Sequence, residues 1–167
     1  MSAKLTIEQI QQRIDRSPAN RWLGIIVLDL EDGGIMLQMP VRADMIGNPD
    51  TRVLHGGFMG CLIDTACSFA IIAQTGESVA TIDFSVDFHQ AQRSPLLFAR
   101  ASVLRIGRRI ASTEVRVTEA NDGLVTSGTA VFANMPFIPR TRREVSGRHS
   151  PDRAVCLDDK LARYLRG

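Results

Sequence analysis

Residues 57–74, GFMGCLIDTACSFAIIAQ, restrict the fold of this chain more than any other segment. Phe58, Leu62, Phe69 and Ala73 recur at helical spacing with Thr65 and Ala66 between them, and Gly60, Asp64 and Ser68 form a separate stripe at i, i+4. The predicted helix is apolar around most of its girth and keeps one narrow polar seam. It has no broad face to give to water, so protein must enclose it on nearly all sides. Asp64 is the only charge in the run. An unpaired buried charge is expensive, so this carboxylate calls for a partner or a task.

The material to enclose the helix follows it. From Thr81 to Phe88 the chain alternates strictly, with Ile82, Phe84, Val86 and Phe88 on one face and Thr81, Asp83, Ser85 and Asp87 on the other. Three more strands are predicted at about Leu96–Ile106, Ile110–Ala120 and Leu124–Asn134, with turns at Gly107-Arg108 and Asn121-Asp122-Gly123. Upstream, Leu5–Ile14 has the pattern of a short amphipathic helix, with Thr6 and Gln9 as a cap pair and Pro18 as its stop. Strands are expected at Trp22–Leu30 and Ile35–Pro40 around the turn Asp32-Gly33-Gly34, and a loop at Arg42–Arg52. Strands joined by tight turns are antiparallel neighbours. The expected class is α+β: a curved antiparallel sheet of about six strands wrapped around one long central helix. The chain divides into an N-terminal helical segment (1–19), a main domain (20–136) and a C-terminal extension (137–167).

With 167 residues, 44% hydrophobic and 23% charged, the chain is long enough for a proper core and has the composition of a folded domain. The net charge of +2 is uneven: residues 140–167 hold eight Lys/Arg against four Asp/Glu, and the rest is slightly acidic. A solvated basic extension explains this better than a nucleic-acid or membrane partner, and neither is expected. The N-terminal MSAKLTIEQIQQRIDRS lacks an apolar leader core. The three cysteines, Cys61, Cys67 and Cys156, lack metal-ligand spacing, and Cys61 and Cys67 are expected as small buried apolar groups. A reduced, cytoplasmic location is the expectation, and no metal site is foreseen.

Just before the long helix stands Val53-Leu54-His55-Gly56-Gly57. Two glycines allow a tight turn and close approach of a ligand to the backbone, and the first N–H groups of a helix are donors at its positive end. Such donors and a carboxylate base on one helix suit attack on an ester-like carbonyl, in which an oxyanion develops.

Gly47-Asn48-Pro49, Val53-Leu54-His55-Gly56-Gly57, Leu62-Ile63-Asp64-Thr65-Ala66 and the strand Thr81–Phe88, taken with the element order, resemble the hotdog-fold acyl-CoA thioesterases, over roughly residues 20–135. The likeness is greatest to the phenylacetate-pathway and 4-hydroxybenzoyl-CoA thioesterase branch. The resemblance implies that Asp64 is the general base or nucleophile and that the Gly56 N–H polarises the thioester carbonyl. It implies that Thr81, from the other subunit, and Ser68 help to position water; His55, the remaining catalytic candidate, either holds the turn with its ring or transfers a proton. Gly57, Asn48, Phe58 and Met59 would contact substrate; Asn48 stands one residue before the family's usual Asn position, which Pro49 occupies. The active sites would be shared within a homodimer or homotetramer, and no cofactor is implied beyond the coenzyme A of the substrate.

Coenzyme A carries phosphates, for which Arg105, Arg108 and Arg109 at one strand turn are candidates. Two other readings of the same fold remain: an acyl-CoA-binding or sensing protein without catalysis, and an enoyl hydratase or dehydratase.

Overall fold

A computed structural model describes residues 5–31 and 33–135. The extension at 137–167, with Cys156 and His149, lies outside the described residues, as does Asp32.

Helix α1 (Ile7–Asp15) starts at a full capping box: the Thr6 hydroxyl accepts from the Gln9 N–H and the Gln9 side chain accepts from the Thr6 N–H. Pro18 ends nothing. It is the first residue of a second helix, α2 (Pro18–Leu23), capped by the Ser17 hydroxyl and closed by Gly24 at φ 71°. Proline suits this position because the first helical N–H has no intrahelical partner to lose. The expected strand from Trp22 is therefore confined to β1 (Ile26–Asp29), and Trp22 is helical. Strand β2 (Gly34–Pro40) follows. The expected loop at Arg42–Arg52 contains a 3-10 turn (Ala43–Met45) and a small hairpin, β3 (Ile46–Asn48) and β4 (Val53–Leu54).

The long helix, α3, runs Gly56–Thr75. After it come β5 (Ser78–Phe84), β6 (Asp87–Phe88), β7 (Leu96–Ile106), β8 (Ile110–Thr118) and β9 (Leu124–Met135). The main sheet is antiparallel in the order β1-β2-β7-β8-β9-β5, and β6 continues along β9 beyond the end of β5. The predicted continuous strand Thr81–Phe88 is thus broken. Its register shifts between Thr81 and Asp83, and the strand is interrupted at Ser85-Val86, where the Ser85 carbonyl oxygen fills the space a side chain at Gly128 would need. Glycine at 128 leaves room for that close approach.

The sheet curls around α3. Leu62, Ile63, Ala66, Ala70 and Ile71 of the helix are fully buried, as are Leu37, Met39, Leu97, Val117 and Phe132 of the sheet. Alanines at 99, 101 and 111 are buried as well. Each large apolar side chain removed from water contributes about 1.5–3 kcal/mol, so this layer is the main source of stability. By length and composition α3 could cross a membrane, but it is the core helix here, with most of its residues covered by the fold. The enclosure has a gap on the β5 side: Cys67 is buried as expected, whereas Cys61 is exposed. Ile82, Phe84 and Phe88 along this edge are 57%, 41% and 59% exposed.

Candidate active site

The N-terminus of α3 is held from three directions. His55 is its N-cap, and Nδ1 of the ring accepts the Gly57 N–H at 3.0 Å. An accepting Nδ1 places the proton of a neutral imidazole on Nε2. The His55 N–H donates to the Met45 carbonyl at 2.9 Å, and the Leu54 N–H donates to Gln92 Oε1 at 3.0 Å. The Phe58 N–H donates to the His55 carbonyl at 3.0 Å. Among the described residues nothing accepts the Gly56 N–H, so it is available to an incoming oxygen at the positive end of a twenty-residue helix.

Asp64 lies further along the same helix and is half-buried. The Thr81 hydroxyl, expected to reach the site from the other subunit, instead donates to Asp64 Oδ1 of its own chain at 2.8 Å, while Oδ2 has no partner among the described residues. One oxygen is therefore oriented by β5 and the other is left for chemistry. Ser68 lies one turn on, and its hydroxyl donates to the Thr65 carbonyl at 3.0 Å. Burial pushes the Cys67 thiol up to about 11, with a smaller push from the Asp64 charge. Cys61 is raised by the same two causes in the same order. At neutral pH both thiols are protonated and therefore poor nucleophiles.

Two clefts meet at this helix end. One, of about 390 Å³, is lined by Gly56, Gly60, Cys61, Asp64, Phe84 and Phe88. The other, of about 420 Å³, is lined by Val53, Gly56, Met59, Phe88 and His89. The Phe88 ring divides them and sits on the backbone of Gly56, where an added Cβ would come within 2.9 Å of Phe88 Cζ. A larger groove of about 680 Å³ continues from the second cleft, with Val53 and Ala91 common to both, and is lined by Arg42, Arg52 and Arg93.

The candidates from the sequence are thus placed as follows. Gly56, Gly57, Asp64 and Thr81 gather at one cleft, and Met59 is buried in the wall of the next. Phe58 packs between the Trp22 and His55 rings, at centroid distances of 5.6 and 6.1 Å. Asn48 Oδ1 accepts the Asp50 and Thr51 N–H groups and shapes the β3–β4 turn. Arg105, Arg108 and Arg109 stand at the β7–β8 hairpin and line none of these three cavities.

Two residues missed in the sequence hold the turn before the helix in place. Buried Glu119 accepts the Arg93 N–H and, at 2.8 Å, the Ser94 N–H, fixing the loop that carries Gln92. Gln92 in turn holds Leu54, next to His55, and donates to the Ser94 carbonyl at 2.9 Å. For Glu119 a signal existed: Val115 and Val117 face inward on β8, and Glu119, one residue past its end, continues their period of two.

Residues 52–126 match the family model described as the thioesterase superfamily. A crystal structure of a thioesterase-superfamily protein, 36% identical, superposes with a TM-score of 0.75 over 77% of this chain and 98% of its own. VNG_1336C of Halobacterium salinarum, a candidate esterase by name, is 32% identical over 68% of this chain and 78% of its own. The medium/long-chain acyl-CoA thioesterase YigI of Escherichia coli is 27% identical over 79% of this chain and 98% of its own.

Proposed function

The chain belongs to the thioesterase superfamily, and on that footing we propose that it hydrolyses acyl-CoA thioesters to the free acid and coenzyme A. The observation that carries this reading is an Asp64 carboxylate with one oxygen oriented by Thr81, on a helix whose Gly56 N–H has no acceptor among the described residues. Water attacks the carbonyl carbon, Asp64 Oδ2 takes its proton, and the developing oxyanion is stabilised by the Gly56 N–H. The C–S bond then breaks, and the leaving thiolate takes the proton from Asp64, which returns to its carboxylate form. Direct attack by the carboxylate, giving an anhydride that water opens, uses the same groups; ¹⁸O from labelled water appearing in Asp64 after a single turnover marks that route. The reaction needs only water and the substrate.

Sites shared between two copies fit this arrangement best. Gly56 and Asp64 are eight residues apart, roughly 12 Å along the axis. The Gly56 N–H also points out of the helix end, away from the carboxylate of its own chain. A second copy with its helix antiparallel would set its Asp64 opposite this Gly56. The surface for it is the β5 edge, where apolar Ile82 and Phe84 are exposed beside the Thr81–Asp64 bond. An open strand edge is a template for pairing with another chain. A homodimer built on this edge, or a tetramer of two such dimers, is the expected assembly.

The acyl group is open between two classes. The YigI likeness favours medium and long aliphatic chains, and the motif likeness to the phenylacetate and 4-hydroxybenzoyl branch favours aromatic ones. Free-thiol release from a panel of short to long aliphatic and aromatic acyl-CoAs, by wild type and Asp64→Asn, tests the reaction and ranks the substrates. Full turnover in the variant, or no release by wild type, removes the hydrolase reading. Sharing is tested by complementation. Gly56→Pro deletes the donor at a helix position whose backbone tolerates proline, with His55 at ψ 126° already in the conformation proline needs before it. The exposed Phe88 ring, 2.9 Å from a Cβ at 56, has to swing aside. Mixing inactive Gly56→Pro with inactive Asp64→Asn should restore about a quarter of wild-type activity if random dimers form. No recovery would place both groups on one chain.

A further inference from the structure

The groove of about 680 Å³ beside the catalytic clefts gathers three arginines from three separate segments: Arg42 after β2, Arg52 in the β3–β4 turn, and Arg93 in the loop before β7. Each is set up differently. The Arg42 guanidinium lies 4.5 Å from the Trp22 ring centre, and its Nε meets Asp44 Oδ1 at 3.2 Å. Arg93 has its backbone N–H held by Glu119 while its side chain stays exposed. Arg52 has φ 55°, a left-handed conformation that a side chain rarely adopts. Among the described residues neither Arg52 nor Arg93 forms an ion pair.

Two guanidinium groups with no carboxylate partner among the described residues, and a third held on an aromatic ring beside Asp44, around one groove make a receptor for a multiply charged anion. The groove also has an apolar side, with Val41, Ile46 and Pro95. It shares Val53 and Ala91 with the cleft that Gly56 lines. We infer that this groove binds the phosphate-bearing nucleotide end of the CoA thioester, Arg52 and Arg93 taking phosphate oxygens and the apolar wall facing the base. The identity of the anion rests on the thioesterase reading; the anion site itself rests on the arginines. It also sets the direction of the substrate: nucleotide at the β3–β4 hairpin, acyl group beyond Phe88.

The test is a double variant, Arg52→Gly with Arg93→Gln. Glycine accepts the positive φ at 52, and glutamine keeps the N–H that Glu119 holds, so the fold is left intact. For an acyl-CoA the KM should rise about tenfold with kcat unchanged, the mark of binding lost equally from ground and transition states. For the same acyl group on N-acetylcysteamine, which lacks nucleotide and phosphates, wild type and variant should have equal kcat/KM. Equal losses on both substrates, or a loss on neither, overturn the assignment. Calorimetric titration with free coenzyme A decides the groove even if no thioester is cleaved. Binding weakened about tenfold in the variant supports it, and unchanged binding overturns it.

Discussion

The two halves of α3 differ as much as two separate helices. In the C-terminal half Ala70, Ile71, Ile72 and Ala73 are all buried, and the end is closed twice. Gly76 at φ 73° donates its N–H to the Ile72 carbonyl, and its own carbonyl accepts from Arg13 Nη1 at 2.8 Å. The N-terminal half carries three glycines, a half-buried carboxylate, an exposed cysteine and an unengaged N–H. Met59, Leu62 and Ile63 of that half are buried too, so the helix supplies packing energy along its whole length and chemistry at one end only. The sealed end holds the reactive end in place.

Substitutions at the two ends should separate activity from stability. The largest effect is expected from Asp64→Asn, which should lower kcat about 10²–10⁴-fold, the usual worth of a general base, with the melting temperature unchanged. A variant that melts early instead would make Asp64 part of the scaffold and erase the contrast. Ile71→Ala should do the reverse, costing about 2–5 kcal/mol in a denaturant titration while kcat per folded molecule stays constant. Gly76→Ala puts a side chain at positive φ and should cost about 1–2 kcal/mol, again with kcat unchanged.

Smaller effects sharpen the line between the halves. Thr81→Val removes the donor to Asp64 Oδ1 and should lower kcat by about tenfold without altering the melt. In a Cys156→Ser background, a thiol reagent at pH 8 should label Cys61 slowly and leave Cys67 untouched. With its pKa near 11, Cys67 is thiolate in only about one molecule in a thousand at that pH, and its labelling should rise with pH.

What the sequence revealed follows the same division. The packed parts were legible because their signals are local and periodic: the Thr6–Gln9 box, the long helix, and β7 through β9, whose bounds shift by no more than two residues. The Ser17-Pro18 helix start is equally local, but a proline just after one helix carries the signal of a stop as well as that of a first helical residue. The hairpin of β3 and β4 has strands too short to show a period. Cys61 was expected inside because the helix was assumed to be covered all round, which one copy of the chain does not achieve. At the site, Gly56 and Asp64 were visible through their motif. The groove was not, since Arg93 is far in sequence from Arg42 and Arg52 and only the fold collects them, whereas Arg105, Arg108 and Arg109 are close in sequence and stand elsewhere.

Glu119 has a consequence for genetics. It touches neither cleft, yet through Arg93, Ser94 and Gln92 its grip reaches Leu54 and so the turn that presents Gly56. A random loss-of-function screen should therefore recover changes at Glu119 alongside those at Asp64. Ranked by phenotype alone, an anchor and a reactive group would look alike.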